Sequence, residues 1–304
     1  MCYTTLKKKE LGGNMYTIEN ERFRAILSPN GAEVQSFIDK KYEKEWIWHG
    51  DPKFWKRRAP VLFPFVGKLK DNQYTVAGTS YHLPQHGFAR DQVFQVTQHG
   101  NTSISFRLTS KEETLQVYPF VFSLEITYLL TDQGLHTSYH VHNPGDQTLY
   151  FSIGGHPALM VDIDQEGWVL EFEKDEHADL HLLDLSLGLY SGQTRPILSG
   201  DHLIPLSHDL FDIDTLVFDG LKSDYVQARN RLTGEGIRLH CKGFPQLGVW
   251  TPGAPFLCLV PWYGLADQVT SSGRIEDKRG IQTLEAGGNF RCTYVLEPIT
   301  TQDQ

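Results

Sequence analysis

The chain has 304 residues, 40% of them hydrophobic and 21% charged, a balance that lets a core form and excludes a disordered polymer. Twenty-eight basic residues against 37 acidic ones leave a net charge of −9, so no general field draws the chain onto phosphate backbones or anionic lipid, and neither nucleic acid nor a membrane surface is expected as a partner. All-β sandwiches and barrels commonly hold roughly 200–250 residues around one core, so a single domain over residues 1–304 is expected, with 1–14 peripheral.

Residues 1–14 carry the basic run Lys7, Lys8 and Lys9 with no apolar stretch behind it to serve as a signal-peptide core, and no later segment reaches the length of a membrane span. Half-buried strand periodicity begins at 16–19 and 23–27 and returns at 93–97 and 103–108. Its clearest instance is Phe122, Leu124, Ile126, Tyr128 and Leu130, with Ser123, Glu125 and Thr127 turned the other way. The turn cluster Thr131, Asp132, Gln133, Gly134 and the returning run 135–142 predict a hairpin there. Further strands are predicted at 168–172, 215–218, 225–228, 247–250 and 292–296, and the aperiodic stretch 201–212 reads as a loop over the sheet. Few stretches keep apolar spacings of three and four over the length a helix needs. Strands joined by short turns, without alternating helices, predict an all-β protein of antiparallel sheets packed face to face. The sequence holds no Gly-rich phosphate loop, fixed-period repeat or low-complexity linker.

The four cysteines, Cys2, Cys241, Cys258 and Cys292, are scattered without a Cys-x-x-Cys pair, so reduced, mostly buried thiols in a cytoplasmic protein are expected rather than a disulfide framework. Thirteen histidines are present, and most stand in polar surroundings. His136, His140 and His142 share one face of a strand, but no carboxylate or thiol stands at ligand spacing beside them, so a solvated strand face is expected and no metal. Two others have a different context: His86 within Pro84-Gln85-His86-Gly87-Phe88-Ala89-Arg90, and His156 within Gly154-Gly155-His156-Pro157. Adjacent glycine permits close approach of backbone or ligand, and Pro157 stiffens the chain. Each reads either as a proton-transfer or ligand-binding group, or as a hydrogen-bonded turn histidine.

An ordered set of motifs extends these two: Pro60-Val61-Leu62-Phe63-Pro64, Gly67-Lys68-Leu69, Asn143, Asp214-Thr215-Leu216-Val217-Phe218 and Pro261-Trp262-Tyr263-Gly264. Together they resemble the aldose 1-epimerases, and within that family the mutarotase-related branch associated with lactose operons. The resemblance runs over residues 16–297. It implies an antiparallel β-supersandwich of the galactose mutarotase type, a shallow cleft for a free hexose of the galactose or glucose kind, and interconversion of α and β anomers without cofactor or metal. Monomer and homodimer both remain open. In that reaction a base removes the proton of the anomeric hydroxyl while an acid protonates the ring oxygen. Carried over position by position, the resemblance implies that His156 is the acid and that His86, Lys68 and Asp214 bind sugar hydroxyls. Lys68 stands where many relatives have arginine, so a forked donor becomes a point charge. Trp262 and Tyr263, with Trp55 behind them, would offer flat apolar surface to the pyranose.

One position departs from the family pattern. Where relatives carry the glutamate that serves as general base, this chain reads Cys258-Leu259-Val260-Pro261-Trp262, and valine takes no proton. Three explanations follow: a carbohydrate-binding protein with weak or no activity, takeover by another carboxylate with Asp267 or Glu285 nearest in sequence, or a related activity that needs only His156 and water. A sugar phosphate as ligand would need arginines at the cleft, for which Arg57, Arg58 and Arg90 are the candidates.

Overall fold

The computed structural model describes residues 15–300; Cys2 and the lysine run lie outside them. Nearly all regular structure is strand, and the α-helix among the described residues is the four-residue Glu112–Leu115. The largest sheet has nine strands, in the spatial order Leu189–Pro205, Trp168–Asp184, Tyr225–Asn230, Gly236–His240, Asn289–Ile299, Leu135–His142, Ser123–Leu130, Ser103–Thr109 and Gln95–His99. A second sheet runs Leu216–Asp219, Gln246–Trp250, Leu257–Tyr263, Ile153–Gly155 and Val61–Leu62, with Ala158–Leu159 also paired to Leu257–Tyr263. Every pairing between these strands is antiparallel. A four-stranded sheet of Tyr16–Glu19, Phe23–Leu27, Val34–Asp39 and Lys44–Glu45 stands beside them. This is the predicted all-β supersandwich.

Alternation sets which side chains meet. Leu124, Ile126, Tyr128 and Leu130 face inward, and the returning strand answers with Leu135, Tyr139 and Val141, all in one apolar cluster. Each fully buried aliphatic side chain contributes about 2 kcal/mol. From the second sheet, Leu216, Phe218, Leu247, Val249, Leu257 and Leu259 join the same cluster, and Phe172 meets Phe218 across the layers at 5.3 Å between ring centroids. The opposite parity of this sheet, Val217, Cys258, Val260 and Trp262, belongs to a separate apolar cluster on its other face. Leu257–Tyr263 is therefore apolar on both sides, and its sequence shows no alternation.

Two expectations are corrected. The strand predicted at 168–172 continues to Asp184 and pairs with Leu189–Pro205 in a hairpin whose strands are each 17 residues long. Residues 201–205 are the end of that hairpin rather than a loop, and His208–Ile213 is a short 3-10 turn. Charged residues on both parities, Lys174 and Glu176 on one and Glu173 and Asp175 on the other, and register shifts along the pair hide the period in the sequence. Among the described residues no helix is long and apolar enough to cross a membrane.

Candidate functional site

The second sheet turns the parity of Val217, Val260 and Trp262 toward a cleft of about 610 Å³, closed at its sides by loops and by the tip of the long hairpin. His86, His156, Lys68, Asp214 and Trp262 all border it, together with Val260. Six groups from five segments of the chain are thus brought together.

His156 follows Ile153–Gly155, where the strand beside Leu257–Tyr263 is interrupted before resuming at Ala158–Leu159. Gly154 pairs with Trp262 and Ala158 with Cys258, so the register common to both segments sets His156 opposite Val260. Pro261 brings no N–H to the ladder at this break. The His156 backbone N–H donates to the Pro60 carbonyl at 3.0 Å, its imidazole lies 5.0 Å from the Trp55 ring and 5.9 Å from that of Trp250, and its Nδ1 is buried without a partner. Burial pulls its pKa down to about 4, with Arg90 adding in the same direction, so the ring is neutral at pH 7.

His86 is held by a loop that has little freedom. The chain passes through positive φ at both His86 and Gly87, and a Cβ on Gly87 would stand 2.4 Å from the Phe63 carbonyl oxygen. The His86 N–H donates to the Gly67 carbonyl at 2.9 Å, and the Gly67 N–H donates to His86 Nδ1 at 3.0 Å. Accepting there, Nδ1 carries no hydrogen, which leaves Nε2–H as a donor. Burial, then His156, then Arg90 and Arg57 hold the His86 pKa well below the ordinary histidine value. Its ring centroid lies 5.8 Å from that of His156, edge to face.

Lys68 borders the cleft, but its Nζ donates to the Leu187 carbonyl at the hairpin tip, at 2.7 Å. Asp214 ends the 3-10 turn His208–Ile213 at φ 71, exposed, with one carboxylate oxygen accepting from the Thr215 hydroxyl at 2.7 Å. Trp262 is 6% exposed, and its indole N–H has no partner. It lies across Gly248, where a Cβ would meet the indole at 2.7 Å.

The alternative carboxylates lie elsewhere. Asp267 is buried, its Oδ1 accepting from Lys278 Nζ at 2.7 Å and its Oδ2 from the Lys70 N–H at 2.9 Å. Glu285 accepts from the Thr148 hydroxyl at 3.2 Å. Neither lines the cleft, and among the described residues that do, Asp214 is the one carboxylate. Of the three arginines singled out, Arg90 lines it, donating to the Gln85 carbonyl at 2.6 Å, whereas Arg57 is paired with Asp91 and Arg58 donates to the Gln35 carbonyl. Tyr263 has the opposite parity to Trp262, and its hydroxyl donates to the Gly243 carbonyl. His136, His140 and His142 bond Thr131, Asn289 and Gly288 respectively, and among the described residues no His, Cys, Asp and Glu group stands ready to hold a metal.

Trp250 and Tyr190 also line the cleft and escape the sequence reading. Trp250 shares the parity of Gly248, opposite to Leu247 and Val249, a signal present in the strand pattern. Tyr190 enters from the long hairpin and has no such signal; burial pushes its phenol pKa up, so it stays an O–H group.

Comparison with known proteins agrees on the lineage of this architecture. A family model described as aldose 1-epimerase matches residues 14–271. Protein LacX (plasmid) of Lactococcus lactis subsp. lactis is 30% identical over 275 residues, covering 86% of this chain and 91% of that protein. The crystal structure of a galactose mutarotase related enzyme from Lactobacillus acidophilus is similar at a TM-score of 0.89 and 33% identity, over 96% of this chain and 99% of that one. A galactose mutarotase-like protein from Lactobacillus casei ATCC 334 is similar at a TM-score of 0.88 and 32% identity, over 94% and 100% of the two chains.

Proposed function

This chain belongs to the aldose 1-epimerase family, and on that premise we propose that it binds a free hexose in the cleft and interconverts its anomers, with catalysis impaired by the valine at position 260. The pyranose carries C–H groups on its faces and hydroxyls around its edge. Trp55, Trp250 and Trp262 suit the former, while the Nε2–H of His86, the Asp214 carboxylate and the Lys68 ammonium suit the latter.

For anomer exchange, the proton on the anomeric oxygen must leave as the ring oxygen gains one. His156 is our acid for the ring oxygen. With a pKa of about 4 it is neutral at pH 7, and a neutral imidazole gives up its proton reluctantly. Val260 opposite it accepts none. Both halves of the transfer are therefore weak, and a carboxylate at 260 would strengthen both, supplying the base and stabilising the imidazolium. The cross-strand juxtaposition of His156 and Val260 carries this reading. A positioned base contributes about two to four orders of magnitude in rate. Polarimetry on Val260→Glu should show faster mutarotation of galactose or glucose, and His156→Ala should bring any activity down to the solvent rate. An unchanged rate in a folded Val260→Glu protein that still binds sugar would remove position 260 from the reaction.

A second reading, carbohydrate binding without turnover, is favoured by the commitment of Asp267 and Glu285 to partners outside the cleft, which removes both substitutes that lie nearest position 260 in sequence. Wild-type mutarotation at the solvent rate with sugar bound would select it. Reduced thiols are in keeping with a cytoplasmic protein; the described cysteines, Cys241, Cys258 and Cys292, are all free.

A further inference from the structure

Asp267 does not line the cleft, yet it bonds two of the segments that do. Its N–H donates to the Lys68 carbonyl, its Oδ2 accepts from the Lys70 N–H and its carbonyl accepts from the Tyr190 N–H, each at 2.9 Å. Lys68 and Tyr190 both border the cleft. A third cleft group is reached through Gly67, which exchanges hydrogen bonds with His86 in both directions. A Cβ on Gly67 would stand 2.5 Å from that of Ala266, so the segment carrying Asp267 packs directly against the one that holds His86.

Lys278 holds the carboxylate in turn. Its Nζ donates to Asp267 Oδ1 at 2.7 Å and to the Leu265 carbonyl at 2.9 Å, and the two side chains are only 3% and 5% exposed. Such a buried ion pair adds little net stability, because desolvation of both charges offsets their attraction, and an apolar pair of similar volume often serves a fold as well. What a satisfied buried polar network does supply is a single arrangement of the segments that it joins. Here those segments are the 67–70 loop and the long hairpin, which approach the cleft from different parts of the chain.

We propose that Asp267, held by Lys278, is a positioning residue for the cleft, fixing Lys68 and Tyr190 directly and His86 through Gly67. This rests on the hexose reading for what those groups bind, though not on turnover. The carboxylate acts through backbone groups of its neighbours and does not itself meet the ligand. Binding groups set in place beforehand need little ordering when a ligand arrives, so loosening them costs affinity.

Two variants test this, read by isothermal titration with galactose and glucose, by urea unfolding and by the ring nitrogen NMR signals of His86. Asp267→Leu/Lys278→Met removes the pair without stranding either charge, so its urea midpoint should stay close to that of the wild type. Its hexose affinity should nevertheless fall about tenfold, and the His86 Nδ1 signal should move as the bond from Gly67 loosens. Asp267→Asn keeps the side-chain shape, but its NH2 group must face one of the two donors, Lys70 N–H or Lys278 Nζ, so affinity should fall here too. A residue that served stability alone would leave affinity and the His86 signal untouched in any variant that folds. Wild-type affinity or an unmoved His86 signal in a folded variant therefore overturns the positioning role, and Asp267→Asn decides it if the double substitution does not fold. If the wild type binds neither hexose, the hexose reading falls, and the His86 signal judges the positioning role by itself.

Discussion

His156, in the break between Ile153–Gly155 and Ala158–Leu159, falls level with Val260 of the neighbouring antiparallel strand, in a register fixed on one side by Gly154 with Trp262 and on the other by Ala158 with Cys258. Both residues border the cleft. A carboxylate introduced by Val260→Glu would therefore act directly on the imidazole and should raise its pKa from about 4 toward the ordinary histidine range. Proton NMR of the His156 ring through a pH titration reads this. A ring that titrates at the same low pH in the folded variant would mean that the two side chains do not meet.

Two neutral imidazoles also make stability depend on pH. In the unfolded chain a histidine takes its proton near pH 6.5, whereas folded His156 takes it near pH 4 and folded His86 well below 6.5, chiefly because both are buried. Between those values the unfolded state binds more protons, so stability is fully present above about pH 6.5 and declines as pH falls toward the folded pKa. For His156 the loss is at most about 3 kcal/mol. Urea midpoints at pH 7.5, 6 and 5 should fall more steeply for the wild type than for His156→Gln. Parallel curves would show that this imidazole is not held neutral.

Asp214 permits a clean test of charge. Asparagine has the shape of aspartate, so at φ 71 Asp214→Asn removes the negative charge while meeting the same steric demand. Loss of a charge-assisted hydrogen bond should weaken hexose binding by about tenfold or more in calorimetry. An unaltered Kd would take Asp214 out of the sugar contacts.

The His86 loop should be intolerant of one methyl group. Gly87 is at φ 69, and an added Cβ would stand 2.4 Å from the Phe63 carbonyl oxygen, a backbone atom that cannot swing aside as a side chain would. Gly87→Ala should cost at least about 2 kcal/mol in urea unfolding. A wild-type midpoint would mean that the loop can shift away from Phe63.

The sequence by itself determined the class of fold and the identity of the chemical groups. Period-two alternation at Leu124, Ile126, Tyr128 and Leu130 is a local consequence of strand geometry, so it is legible residue by residue, and the resemblance carried by the His86, His156, Asp214 and Trp262 motifs supplied the candidate site. The long hairpin was legible only at its start, because its exposed strands carry polar residues on either parity and register shifts break the period. Only the tertiary structure decided what faces what. Pairing between distant strands sets His156 against Val260, commits Asp267 to Lys278, and brings Tyr190 and the leucines of the hairpin tip to the cleft. Such contacts are fixed by sheet register and loop closure between segments remote along the chain, and no local periodicity records them.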